Sequence, residues 1–347
     1  MKTKHIDFKD KILIQSMTNT KTKDIDKTLE QIKALAKYGC DLVRVAVFDD
    51  QDANSLEIIC KKSPLPIIAD IHFNFNYALK AIASGVSKIR LNPGNISDPT
   101  EIKQIITAAK KANIWIRIGV NSGSIPEKYL TRNKKDIAKS MINLMDDYLK
   151  IFNKEKFDKL VLSFKCSDPL LNIRVNEKAF KKFKYPFHLG VTEAGTLLDA
   201  TIKSTIGLAP LLNKKIGNTI RISISGDPCE EVKVAHKILN NLKLENNRVN
   251  IITCPTCGRL NYDIFSIVDK VEKYCEFKFF PLTISILGCV VNGIGEGKHA
   301  DIGLAGSGDK VIIFKDGKIF KNVSKNDAFN ELKKLIDNKY EIFLKAK

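Results

Sequence analysis

The chain has 347 residues, 44% of them hydrophobic, enough for one large globular core and a smaller second one. Its net charge of +18 comes from basic residues spread along the whole length and interleaved with Asn, Asp and Glu, the pattern of a solvated surface rather than of a nucleic-acid patch. The opening segment MKTKHIDFKDKILIQSM has no apolar stretch ahead of a cleavage site, and no apolar run is long enough to span a bilayer, so neither secretion nor a membrane span is expected and a cytoplasmic protein is.

Short β-branched apolar runs occur at Ile12–Met17, Asp41–Val47, Pro66–Ile71, Lys88–Asn92, Trp115–Val120, Lys159–Lys165, Phe187–Thr192 and Thr219–Ile224. Between them lie stretches with apolar residues at helical spacing, such as Leu29, Ile32, Leu35 and Ala36, or Ile102, Ile105, Ile106 and Ala109. Strand then helix, eight times, predicts an α/β fold with a closed (β/α)8 TIM barrel over residues 1–246. After Asn246 the rhythm changes: a Cys-containing loop, an apolar helix (Ile264, Val268, Val271), a strand at Leu282–Leu287, a Gly-rich stretch and a hairpin at Asp316-Gly317. A last helix follows with Ser324 as its N-cap, making residues 247–347 a smaller α+β domain.

Only eight of the 57 basic residues are Arg, and four of them, Arg44, Arg90, Arg117 and Arg221, sit inside apolar strands in the contexts LVRVAV, KIRLN, WIRIGV and TIRISI. In barrel enzymes the C-terminal strand ends form the active site, so these guanidiniums are expected to converge on one mouth with Lys165. Each either pairs with a barrel carboxylate such as Asp70 or Glu193, or waits for an anionic substrate, and several Arg forks suit one with more than one phosphate. Other polar residues fall at the same ends: Ser16, Asn19, His72, Asn92, Asn121, His188, Thr192, Ser223 and Ser225. Glu193, in HLGVTEAG, is the candidate acid or base, because a carboxyl among cations can donate or accept a proton.

Eight cysteines without a secretory leader point to metal or redox use rather than to disulfides. Cys254 and Cys257 form a CPTC motif followed by Arg259, and Cys289 opens the stretch CVVNGIGEG. Cys275 continues the apolar face of its helix and reads as core. Three thiols leave two readings open: a zinc site in a barrel enzyme without redox chemistry, or an iron–sulfur cubane with Glu296 as an exchangeable fourth ligand. A protein that binds nucleic acid through charge alone is a third.

The segments QSMTNTKTKD, ADIHFNFNYAL, IRLNPGNI, IRIGVNSGS, HLGVTEAG, CPTCGR and GCVVNGIGEG, in this order, resemble the 4-hydroxy-3-methylbut-2-en-1-yl diphosphate synthase family nearly end to end. The resemblance implies two-electron reductive opening of 2-C-methyl-D-erythritol 2,4-cyclodiphosphate, with loss of water, in isoprenoid biosynthesis. It implies a [4Fe-4S] cluster on Cys254, Cys257, Cys289 and Glu296, Glu193 handling a proton, and Asn292 reaching the substrate. Substrate binding is expected from Arg44, Arg90, Arg117, Asn121, Lys165, His188, Thr192, Arg221, Ser223 and Arg259. Flavodoxin or ferredoxin is the implied electron donor, and a head-to-tail homodimer the implied assembly. The family commonly reads NGPGE where this chain has Ile294, and the length matches its short bacterial form.

Overall fold

The computed structural model describes residues 3–8, 11–260 and 262–346, with the side chains of 292–294 and 296 outside that set. The chain divides into two units, Met1–Leu244 and Glu245–Lys347.

In the first unit, strands β1 (Leu13–Met17), β2 (Leu42–Val47), β3 (Ile67–Ile71) and β4 (Lys88–Leu91) follow one another through helices α1 (Ile25–Lys37), α2 (Asp50–Lys62) and α3 (Phe75–Ala83). Helix α4 (Pro99–Ala112) leads to β5 (Trp115–Asn121), and α5 (Glu127–Arg132) and α6 (Ile137–Lys154) both lie before β6 (Leu160–Lys165). Then come α7 (Pro169–Lys182), β7 (His188–Leu189), α8 (Leu197–Asn213), β8 (Thr219–Ile220) and α9 (Pro228–Asn241). All pairings are parallel in the order β6-β5-β4-β3-β2-β1-β8-β7, and a bridge between Leu162 and Phe187 closes the ring. The expected TIM barrel is therefore present. Helices α4, α7 and α9 start alike, with Asp98, Asp168 and Asp227 as N-caps and Pro at the next position, which lacks the amide that a first helical turn leaves unbonded.

Two expectations need correction here. The last two runs were expected to be strands of six residues, but only two residues of each pair; beyond them the chain continues as irregular, partly buried backbone. The connection after β5 carries an additional helix. At the opposite end of the barrel, Ile6 packs on Leu13, Leu42 and Ile68, with Phe8 and Trp115 edge to face at 4.7 Å, forming an apolar plug.

The second unit has a sheet in the order β13-β12-β11-β10-β9, formed by β9 (Val249–Thr253), β10 (Leu282–Leu287), β11 (Ile302–Ser307), β12 (Lys310–Lys315) and β13 (Lys318–Ser324). Strands β9, β10 and β11 are parallel and β12 and β13 antiparallel. Helices α10 (Ile264–Cys275) and α12 (Ala328–Lys345) bury Ile264, Val271, Cys275, Leu332 and Ile336 in one core with the sheet, so Cys275 is core. The hairpin turns at Asp316 and Gly317 with φ of 48° and 74°, as an Asp-Gly pair allows. The Gly-rich stretch is a helix, α11 (Val290–Gly297), not a loop. The cap of α12 is Asp327, with Ser324 ending β13 and bonding to it at 2.6 Å.

Candidate active site

Register brings the strand arginines together. Asp70 pairs with Arg90 across β3 and β4, and Arg90 with Arg117 across β4 and β5, while Met17 lies beside Arg44 across β1 and β2. Arg90 Nη1 donates to Asp70 Oδ1 at 3.3 Å, and Arg44 Nε stands 3.6 Å from Asp70 Oδ2. Arg44 Nε is 3.1 Å from Met17 Sδ, and Arg221 Nη1 reaches the same sulfur at 3.6 Å. Arg221 also makes a two-point contact with Glu231 of α9, Nη2 to Oε1 at 2.8 Å and Nε to Oε2 at 3.1 Å. The four guanidiniums thus converge, and two are held by Asp70 and one by Glu231.

Arg117 is the exception. It is 2% exposed, and among the described residues its Nε and Nη1 have no hydrogen-bond partner. Burial, and then the neighbouring charges of Arg44 and Arg90, pull its pKa well below the ordinary value. Lys165, 7% exposed, is pulled down by burial and by Arg117 and Arg221. Burial alone would raise Asp70, but Arg44, a hydrogen bond from His72 and then Arg90 outweigh it and hold the carboxyl well below the usual carboxylate range. This is a pocket of surplus, desolvated positive charge.

Backbone without side chains makes room for it. A Cβ on Gly190 would stand 2.7 Å from Lys165 Nζ and 2.6 Å from the Arg221 carbonyl, and one on Gly119 would meet Arg90 Nε at 3.4 Å. Asn121 ends β5 beside Lys165, and Thr192 donates its amide to the Cys166 carbonyl at 3.1 Å. His188 is fully buried, its Nδ1 2.7 Å from Thr219 Oγ1 and its Nε2 unpartnered among the described residues. Glu193 is exposed in a left-handed conformation, φ 53°, which costs a non-glycine residue energy and is found where a side chain must be aimed. Its loop is tied to β8 through the Ser225 amide and the Gly195 carbonyl at 2.9 Å, and Ser223 lies half-buried between.

In the second unit, the parallel register of β9 and β10 puts Cys254 and Gly288-Cys289 at adjacent strand ends. The Gly288 amide donates to Cys254 Sγ at 3.3 Å, and Cys289 directly precedes α11. The Arg259 amide, then its guanidinium, lower the Cys257 thiol from its ordinary value. Among the described residues no three His, Cys, Asp or Glu side chains come close enough together to hold a metal ion. Asn292 and Glu296 are on α11, and their side chains lie outside the described residues. Two thiols at neighbouring strand ends, one of them accepting an amide hydrogen bond, and a third lowered by the Arg259 amide and guanidinium fit the chemistry of an iron–sulfur site.

Glu231 was not among the residues singled out from sequence. The spacing of α9 could have found it: Val234, Ala235, Ile238 and Leu239 follow Glu231 at helical spacing, which puts it on the buried face, whereas Glu230 has Lys233 and Lys237 at three and seven residues beyond it.

A family model described as the GcpE TIM-barrel domain matches residues 2–236, and one described as the GcpE protein C-terminal domain matches residues 250–338. The chain is 51% identical over 337 residues to the 4-hydroxy-3-methylbut-2-en-1-yl diphosphate synthase (flavodoxin) of Malacoplasma penetrans (strain HF-2), covering 97% of this chain and 93% of the relative. The protein of the same name from Mycoplasmoides gallisepticum is 50% identical, over 96% and 93%. That from Geobacillus thermodenitrificans is 45% identical, over 97% and 90%.

Proposed function

The chain belongs to the 4-hydroxy-3-methylbut-2-en-1-yl diphosphate synthase family, an iron–sulfur oxidoreductase of isoprenoid biosynthesis, and from that premise we propose how its residues divide the work. The substrate is 2-C-methyl-D-erythritol 2,4-cyclodiphosphate, which gains two electrons and loses water.

Arg117 carries the assignment of the substrate site. A buried guanidinium with two free donors, among more cations than Asp70 and Glu231 can balance, calls for a multiply charged anion. In this reading Arg117 and Lys165 take the diphosphate directly, while Arg44, Arg90 and Arg221 are aimed by their carboxylates and offer the donors left over. Asn121, His188, Thr192 and Ser223 line the remainder of the pocket, and the cations stabilise the diphosphate oxygen as the ring opens. Glu193 holds or delivers the proton that leaves with the hydroxyl as water; its carboxyl sits at the mouth on a strained residue.

A [4Fe-4S] cluster, held by Cys254, Cys257, Cys289 and Glu296, supplies one-electron reduction when bound. Arg259 keeps the Cys257 thiol available as a ligand, and Asn292 and Arg259 are assigned to the substrate side. Flavodoxin is the assigned electron donor, with ferredoxin as an alternate. The head-to-tail homodimer finds support in α8, which exposes Leu198, Ile202 and Ile206 at successive turns. No described helix is long and apolar enough to cross a membrane.

The test is anaerobic iron and sulfide analysis with turnover of the cyclodiphosphate under reduced flavodoxin, for wild type, Cys289→Ser and Arg117→Ala. Expected are about four irons per chain and a broad visible absorption, lost with turnover in the Cys variant, and an Arg117 variant that keeps the cluster but no longer binds substrate. One zinc without colour in reconstituted protein, or normal substrate affinity in the Arg117 variant, would overturn the respective assignment.

A further inference from the structure

Glu231 lies in the opening turns of α9 and is 3% exposed, a carboxylate where water cannot solvate it. Both oxygens are engaged twice. Oε1 accepts from Arg221 Nη2 at 2.8 Å and from the Ile224 amide at 3.3 Å, and Oε2 accepts from Arg221 Nε at 3.1 Å and from Ser16 Oγ at 2.7 Å. One side chain therefore ties the end of β1, the guanidinium after β8 and the backbone between Ser223 and Ser225. Strand pairing joins these pieces only briefly, because β8 pairs with β1 through Thr219 and Ile220 and with β7 through the same two residues; beyond them the Arg221 amide donates to the Leu189 carbonyl at 3.0 Å and Arg221 Nη1 reaches Met17 Sδ at 3.6 Å.

We propose that Glu231 is a positioning residue for anion binding, fixing Arg221 and the Ser223–Ser225 backbone in the orientation that receives the substrate diphosphate. The identity of the anion rests on the family reading above; the clamp rests on the contacts just given. A guanidinium is a rigid fork, so with its Nε and Nη2 edge bound to Glu231 the Nη1 side, which meets only the weak acceptor Met17 Sδ at 3.6 Å among the described residues, is the one offered to a second anion. Donors ordered beforehand lose less freedom on binding. Arg117 Nε and Nη1 have no such partner among the described residues. The carboxylate's own place is fixed by a rigid element, since Asp227 caps α9 through the Cys229 amide at 2.9 Å and Pro228 occupies the first turn.

Charge and orientation predict opposite signs for the same substitution. Removing a negative charge from among cations should tighten anion binding, whereas releasing the clamp should loosen it. In the cluster-reconstituted full-length enzyme, Glu231→Gln is expected to raise KM for the cyclodiphosphate about tenfold or more while kcat stays within about threefold, because the lost interaction serves ground state and transition state alike. Iron content and visible spectrum should match wild type. Arg221→Lys should raise KM similarly, and the double variant should lose less than the sum of the two, since both break the Arg221–Glu231 contact while Glu231 alone also holds the Ile224 amide and Ser16. A KM at or below wild type in folded Glu231→Gln, or additive losses in the double variant, overturns the proposal. Should the amide variant fail to fold, Glu231→Asp keeps the charge but withdraws it by one methylene, and a wild-type KM there overturns the proposal equally. Inorganic pyrophosphate affinity, measured by calorimetry, decides the clamp independently of turnover. Weakening in Glu231→Gln supports it and an unchanged affinity sinks it, even were the cyclodiphosphate not the substrate.

Discussion

At Gly190 a single missing methyl group decides where a cation can stand. Alanine there would put carbon 2.7 Å from Lys165 Nζ with the Arg221 carbonyl at 2.6 Å behind it, so the ammonium, the softer neighbour, must move. Gly190→Ala is expected to cost about 1–3 kcal/mol of stability from overpacking and to raise KM with little change in cluster content, measured by denaturant unfolding and steady-state kinetics. His188 gives a pH dependence of known sign. Burial, and then Arg117 and Lys165, depress its imidazole well below the ordinary 6.5. The unfolded ring takes up a proton below that pH and the native ring does not, so its contribution is level above 6.5 and stability falls as pH drops below it. The slope is about 1.4 kcal/mol per pH unit while the native ring stays neutral, and His188→Gln should flatten that part of the acid limb in denaturant titrations. At this scale the sequence was informative about the cations and about one partner, Asp70, which does pair with Arg44 and Arg90, but not about the carboxylate that holds Arg221. Four arginines in apolar strands stood out because Arg is scarce in this chain; Glu231 lies on the apolar face of its helix with Ala235 and Ile238, but which cation it meets is set by the tertiary fold.

Among the elements, the α8 stripe of Leu198, Ile202 and Ile206 is the largest departure from an ordinary solvated helix, with Leu198 72% exposed. Leu198→Glu with Ile202→Glu should leave the fold intact and shift sedimentation from dimer to monomer; a dimer that survives would place the interface elsewhere. The strands of the first six barrel units were legible to within a residue or two, because strands buried on both faces read as unbroken β-branched runs. The last two were read too long for the same reason: hydrophobicity reports burial, and past Leu189 and Ile220 residues such as Val191 and Ile222 are buried outside any strand. Strand β9 was missed because its residues are half-exposed, and β11 because Gly303 and Gly306 interrupt its pattern. Helix α11 has three glycines in eight residues, each worth about 1 kcal/mol against a helix, so local preference pointed to a loop and the tertiary setting prevailed.

Over the whole molecule, the +18 charge is concentrated in the barrel unit, with residues 245–347 much closer to neutral. An acidic flavodoxin would be drawn mainly by the first unit's field. Turnover supported by flavodoxin should therefore fall several-fold as salt rises from about 50 to 300 mM, while turnover with a small uncharged reductant stays level; equal profiles would argue against steering. Two-unit organisation was legible from the change of rhythm near Asn246, since strand–helix alternation is a property of the whole sequence and survives errors in any one element. What was not legible is the plug of Ile6 and Phe8 under Leu13, Leu42 and Ile68. It covers the far end of a barrel whose interior side chains already make it a cup rather than a tube. Substrate and product share one doorway, and the product leaves still carrying the diphosphate that the arginines grip. The two must queue for the same seat, so the product should inhibit competitively against the cyclodiphosphate, and its departure, rather than the chemistry below it, should pace the enzyme at saturation.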